Sequence, residues 1–145
     1  MSNRFAYFDT SVLVKKYIRE AGSHRARQFV LSRQIITSAV SGLECISAFR
    51  RNHASGSIDE KAYAAIVKQF QRDRNKLELV AVTPDILTSA EKYVSEFNVR
   101  ALDAIHLASA TVLDQRLPNR LEFVTADSVQ RNAALRLNLR VIWVE

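Results

Sequence analysis

The chain of 145 residues holds a single cysteine, Cys45, with only three glycines and two prolines. One thiol excludes an internal disulfide and fits a reducing, cytoplasmic compartment. Glycine and proline this scarce argue against long flexible linkers and against a turn-rich all-β fold. No apolar run approaches the roughly 18 residues that a membrane span requires. The opening stretch, Met1 to Asp9, has no apolar segment before its first acid and does not read as a secretory leader. Three histidines, His24, His53 and His106, share no paired spacing with each other or with Cys45. That set argues against a zinc site, and Cys45 reads as a packed helix residue.

What is present belongs to a globular protein of one domain, residues 1–145: 48% apolar and 25% charged residues, with a formal net charge of +6. The positive excess favours polyanionic partners. Apolar, β-branched and aromatic runs alternate with helical patterns, without an internal repeat. Strands are expected at 5–8, 34–37, 77–82, 121–125 and 139–144. Helices are expected at about 11–19, 24–31 and 39–53, from a Ser57–Glu60 capping box onward, from Thr83-Pro84-Asp85, from Asp103, and over 127–137. Short strands joined by helices pair in parallel through right-handed crossovers. The expected fold class is therefore α/β, a three-layer α/β/α sandwich around a mainly parallel five-stranded sheet.

Four acids fall where a strand ends or a helix begins: Asp9, Glu44, Asp103 and Asp127. Each has a local explanation. Asp9 and Asp127 suit helix N-caps. Ser41 to Glu44 matches a capping box. Asp103 complements a helix dipole, with His106 one turn on as a hydrogen-bond partner. Taken together, however, they lie at one edge of a parallel sheet, where ligands bind. Carboxylates about 5 Å apart repel by roughly 3 kcal/mol at an effective dielectric near 20. Divalent cations relieve that repulsion, and an oxygen-only donor set suits Mg²⁺ or Mn²⁺ better than zinc.

Four segments carry a family resemblance: Phe8-Asp9-Thr10-Ser11-Val12-Leu13-Val14-Lys15-Lys16-Tyr17, Ser38 to Glu44, Leu102-Asp103-Ala104-Ile105-His106-Leu107-Ala108, and Phe123-Val124-Thr125-Ala126-Asp127. In these the chain resembles the PIN-domain family, and within it the VapC-type toxins of toxin–antitoxin pairs. The family's acidic quartet falls on Asp9, Glu44, Asp103 and Asp127, and its accompanying hydroxyls on Ser11 and Thr125. The resemblance implies a Mg²⁺- or Mn²⁺-dependent endoribonuclease acting on RNA, a homodimer, and a small cognate antitoxin as partner. Asp9 and Asp103 would then ligate the principal cation, with Glu44 and Asp127 completing its surroundings. Lys15, Lys16, Arg50 and Arg51 are candidates for the RNA backbone. A PIN nuclease of RNA processing that is no toxin shares this chemistry. An aspartyl-phosphate phosphatase would place an acid at Ser11, and a binding module without catalysis would use the acids only as caps.

Overall fold

The structure, a computed structural model, describes residues 4–145. Met1 to Asn3, the start of the stretch read as lacking a leader, lie outside them. The chain runs β1 (Phe5–Phe8), α1 (Thr10–Tyr17), α2 (Ser23–Ser32), β2 (Gln34–Ser38), α3 (Ser41–Ala54) and α4 (Glu60–Asp73). A short 3₁₀ turn (Arg74–Lys76) leads to β3 (Glu78–Val80), followed by α5 (Pro84–Glu96) and α6 (Ala101–Arg116). Then come β4 (Glu122–Thr125), α7 (Ser128–Arg136) and β5 (Arg140–Trp143). The five strands form one sheet, in order β3-β2-β1-β4-β5, and every pairing is parallel.

Alternation along β1 shows why both faces are covered. Ala6 and Phe8 enter one apolar cluster with Val12, Phe49 and Phe70, from α1, α3 and α4. Tyr7 enters the other, with Ile86, Tyr93 and Leu107 from α5 and α6. A strand buried on both sides reads as a continuous apolar run, which is what Phe5 to Phe8 is. The three-layer sandwich follows.

This strand order also fixes where a site can form. From β1 the chain moves outward to β2 and β3, then returns to β4 on the other flank of β1. The helices that follow β1 and β4 depart in opposite directions, so a crevice opens beyond the carboxyl ends of those two strands. Asp9 and Asp127 stand there.

Several boundaries differ from the sequence expectation for local reasons. Asp59 caps α4, accepting the Ala62 N–H at 2.7 Å, while the Ser57 hydroxyl lies 3.0 Å from that of Ser55. The Ser57–Glu60 box does not form, and Glu60 meets His53 at 2.8 Å. Helix α6 begins at Ala101, so Asp103 occupies its third position and reaches back to the Arg100 N–H at 3.4 Å. Only three residues of the expected strand 77–82 pair, because β3 is an edge strand and the chain turns at Ala81, whose carbonyl accepts the Thr83 N–H. Thr83 caps α5 as the sequence predicts, accepting the Ile86 N–H at 3.2 Å.

Candidate active site

Asp9 is only 2% exposed, and its side chain makes no cap hydrogen bond to α1. Its oxygens accept from two hydroxyls instead, Ser11 Oγ at 2.5 Å and Thr125 Oγ1 at 2.6 Å. Those hydroxyls accept the backbone N–H groups of Ala126 (3.0 Å) and Asp127 (3.1 Å). Each hydroxyl therefore has its single proton committed to Asp9, and the ends of β1 and β4 are tied through one carboxylate. Burial pushes the Asp9 carboxyl up, His106 and the two hydroxyls oppose this, and the Asp127 charge adds to it; the balance lies at about 6.

Asp127 does cap α7, with Oδ1 accepting the N–H groups of Val129 (2.8 Å) and Gln130 (3.3 Å). Asp103 is half-buried and takes the Gln130 Nε2 donor at 3.3 Å. Its carboxyl is also raised, by burial first and then by the charges of Asp127 and Glu44, with the Arg100 N–H and His106 opposing. Gln130 is itself buried, and its Oε1 has no hydrogen-bond partner among the described residues.

Glu44 departs from its local explanation. Ser41 turns its hydroxyl to Thr37 Oγ1 at 2.6 Å, so no capping box forms. Glu44 Oε1 accepts from Thr10 Oγ1 at 2.8 Å and lies 2.7 Å from His106 Nε2. His106 Nδ1 lies 2.8 Å from the hydroxyl of Tyr7, which is completely buried. A ring N–H at Nε2 donates to Glu44, while the Tyr7 hydroxyl holds Nδ1 on the other side of the ring. Burial alone would raise the Glu44 carboxyl; the bond and charge of His106, the Thr10 hydroxyl and Arg51 outweigh it and hold the carboxyl low. The expected Asp103–His106 hydrogen bond is thus replaced by one between α6 and α3.

The acids feel one another: Asp127 raises both Asp9 and Asp103, and Glu44 raises Asp103. As placed, no three His, Cys, Asp or Glu side chains among the described residues are gathered closely enough to hold an ion. The donor chemistry nevertheless fits a hard divalent cation. It is oxygen-only, two carboxyls are raised by burial and, less strongly, by neighbouring negative charge, and the buried Gln130 Oε1 adds an acceptor without a donor.

The basic candidates separate. Lys15 and Lys16 lie in the last turn of α1, which runs away from the acidic edge. Lys15 meets Glu20 (3.1 Å) and the Ala21 carbonyl (2.7 Å), and Lys16 meets Asp73 (2.8 Å), so the lysines are withdrawn from the acids. Arg51 is near enough to lower Glu44, and Arg50 is exposed. Cys45 is buried, its thiol pushed up to about 12 first by burial and then by Glu44, as suits a packed residue. Sequence reasoning missed Tyr7, Thr10 and Gln130, and assigned His106 to the wrong acid. The available signal was polarity alone: a phenol inside an apolar strand and an imidazole inside an apolar helix both require partners.

The sequence signature of the PIN domain matches residues 6–140. The ribonuclease VapC46 of Mycobacterium tuberculosis is 33% identical over 137 residues, 94% of this chain and 95% of that protein. Among solved structures, FitAcB from Neisseria gonorrhoeae superposes with a TM-score of 0.71 at 13% identity, over 94% of this chain and 96% of that one. VapBC2 from Rickettsia felis, bound to a DNA fragment from its promoter, gives 0.64 at 11% identity, over 97% and 99%. At such identities these two likenesses bear on the fold.

Proposed function

The chain belongs to the PIN-domain family, and from that membership we propose that it is a divalent-metal-dependent endoribonuclease, the toxin of a type II toxin–antitoxin pair. The observation that carries the chemistry is Asp9: a buried carboxylate at the topological switch point, tied to both central strands and raised to about 6 by burial and by the neighbouring Asp127 charge. A carboxylate that exists only to cap a helix has no reason to be held there at that cost.

Mg²⁺ or Mn²⁺ is the cofactor this donor set favours. Asp9 and Asp103 would hold it directly, with Glu44 and Asp127 completing its surroundings. When bound, such an ion supplies Lewis acidity toward a phosphodiester and toward the water that attacks it. The remaining chemistry belongs to the chain. Ser11 and Thr125 orient the Asp9 oxygens, and Gln130 orients Asp103 across the α6–α7 gap. His106 and Thr10 both donate to the Glu44 carboxylate at Oε1, so one oxygen is held from behind. Arg50 and Arg51, on the helix that carries Glu44, would meet RNA phosphates.

The solved neighbours include a toxin–antitoxin complex from Klebsiella pneumoniae and VapBC assemblies, and this supports a small antitoxin as the natural partner here. A homodimer active in the cytoplasm completes the reading; among the described residues no helix is long and apolar enough to cross a membrane. Purified protein incubated with total RNA should yield discrete fragments with Mg²⁺ or Mn²⁺ and none with EDTA. Asp9→Asn should abolish them. Fragments that persist in EDTA or in that variant would rule the reading out.

A further inference from the structure

The edge of the sheet opposite the acids carries a second electrostatic feature. Each strand is entered through a basic residue: Arg4 before β1, Arg33 before β2, Lys76 before β3 and Arg120 before β4, with Arg140 opening β5. The strand order turns this sequence pattern into a spatial row, Lys76, Arg33, Arg4, Arg120, Arg140. Register sharpens it. Phe5 pairs with Gln34 and Ala6 with Glu122, so Arg33, Arg4 and Arg120 stand side by side on three adjacent strands. The Gln34 N–H donates to the Arg4 carbonyl at 2.9 Å, which carries the pairing to that row. Adjacent strands are about 4.8 Å apart, so three guanidinium-bearing residues start within about 10 Å of one another.

Four of the five cations are exposed, and Arg33 is half-buried. The acids here are few. Glu122 is neutralised by Arg33 at 2.8 Å, Asp114 accepts the Leu121 N–H at 2.8 Å beside Arg120, and Glu78 stands at the start of β3. Arg4, Arg120 and Arg140 line a hollow of about 750 Å³ together with Glu122 and Phe5, which is 44% exposed. Arginine forks match phosphate oxygens, and an exposed aromatic gives a base a stacking surface.

We propose that this amino-terminal edge of the sheet is a second RNA-binding surface, which holds the phosphate backbone of single-stranded RNA away from the acidic edge. The choice of RNA rests on the ribonuclease reading; the cationic row does not. The surface offers sequence-independent affinity where no cleavage takes place, and it favours RNAs long enough to reach both edges.

The test uses EDTA, because without a cation the acidic edge repels RNA and no cleavage occurs. Binding of a single-stranded RNA of about 20 nucleotides to the full chain is followed across salt concentrations. Three proteins are compared: the wild type, Arg4→Glu/Arg120→Glu/Arg140→Glu, and a control with the same charge change, Lys61→Glu/Lys68→Glu/Arg72→Glu on α4. The edge variant should bind at least about tenfold more weakly, with a salt slope smaller by about 2, since each lost single-strand phosphate contact removes about 0.7. The control should lose less than about threefold. Arg120 also donates to the Asn138 carbonyl, so Arg4→Glu/Arg140→Glu is measured beside the triple variant and should show the same loss in part. Equal losses in edge and control variants, or none in either, would overturn the proposal. So would competition by poly-glutamate as effective as by RNA, which would assign the edge to an acidic protein. Cleavage with Mg²⁺ is scored separately, so failure of the nuclease reading leaves a different signature from failure here.

Discussion

Asp9 shows how one residue couples stability to function. Its carboxyl lies near 6 in the fold against an ordinary 3.8, so the fold favours the protonated form. The stability this confers is complete below about pH 4 and lost as pH rises through 6, about 3 kcal/mol in all. Glu44 and Asp73 run the other way: their carboxyls are held low, and the stability they confer is lost in acid. In EDTA, chemical denaturation should therefore show the wild type losing stability as pH rises from about 4 to 6, with Asp9→Asn showing a clearly smaller slope, since the raised Asp103 contributes in the same sense. Excess Mg²⁺ should restore the loss at pH 7.5 and have little effect at pH 5, where a proton competes for the same oxygens.

Glu44 gives a second test at the same scale. A glutamate in a capping box tolerates glutamine, but this one accepts a charge-assisted bond from His106. Glu44→Gln should cost about 1.5–3 kcal/mol in thermal or chemical unfolding. Tyr7→Phe should cost about 1–3 kcal/mol by leaving His106 Nδ1 buried without a partner. A silent Glu44→Gln would contradict the geometry. At this scale the sequence singled out four acids at strand ends and helix starts but not what they touch. Tyr7, Thr10 and Glu44 are brought to His106 by tertiary packing across three other elements, and no local spacing encodes that.

Among elements, α7 separates structure from charge. Asp127 caps it with two backbone bonds, and asparagine caps as well as aspartate does. Asp127→Ala should destabilise by about 0.5–2 kcal/mol. Asp127→Asn should keep that stability and still lose metal-dependent cleavage, which distinguishes a carboxylate acting on a cation from one that only ends a helix. Thermal unfolding and RNA cleavage on the two variants read this out directly. Strands and helices were legible wherever period and caps agreed, as at Thr83-Pro84-Asp85. They were misread where two caps competed, as with Ser57 and Asp59, because only the backbone path decides which side chain faces the free N–H groups.

For the molecule as a whole, the parallel order β3-β2-β1-β4-β5 does two things. It gathers the sequence-distant acids at the carboxyl edge and lines up the strand-entry cations at the other. The α/β class was legible from alternation of strand and helix patterns. The order was not, since the return of the chain from β3 to the far side of β1 is made by α5 and α6, whose sequences do not state which strand they lead to. The central claim is that the acids at the carboxyl edge form one cation site. Calorimetric titration of Mn²⁺ into the RNA-free protein at pH 7.5 tests it most directly, with Asp103→Asn and Asp127→Asn beside the wild type. Saturable binding by the wild type, lost in both variants, is the predicted result; binding that is absent from the wild type or undiminished in the variants would contradict the account.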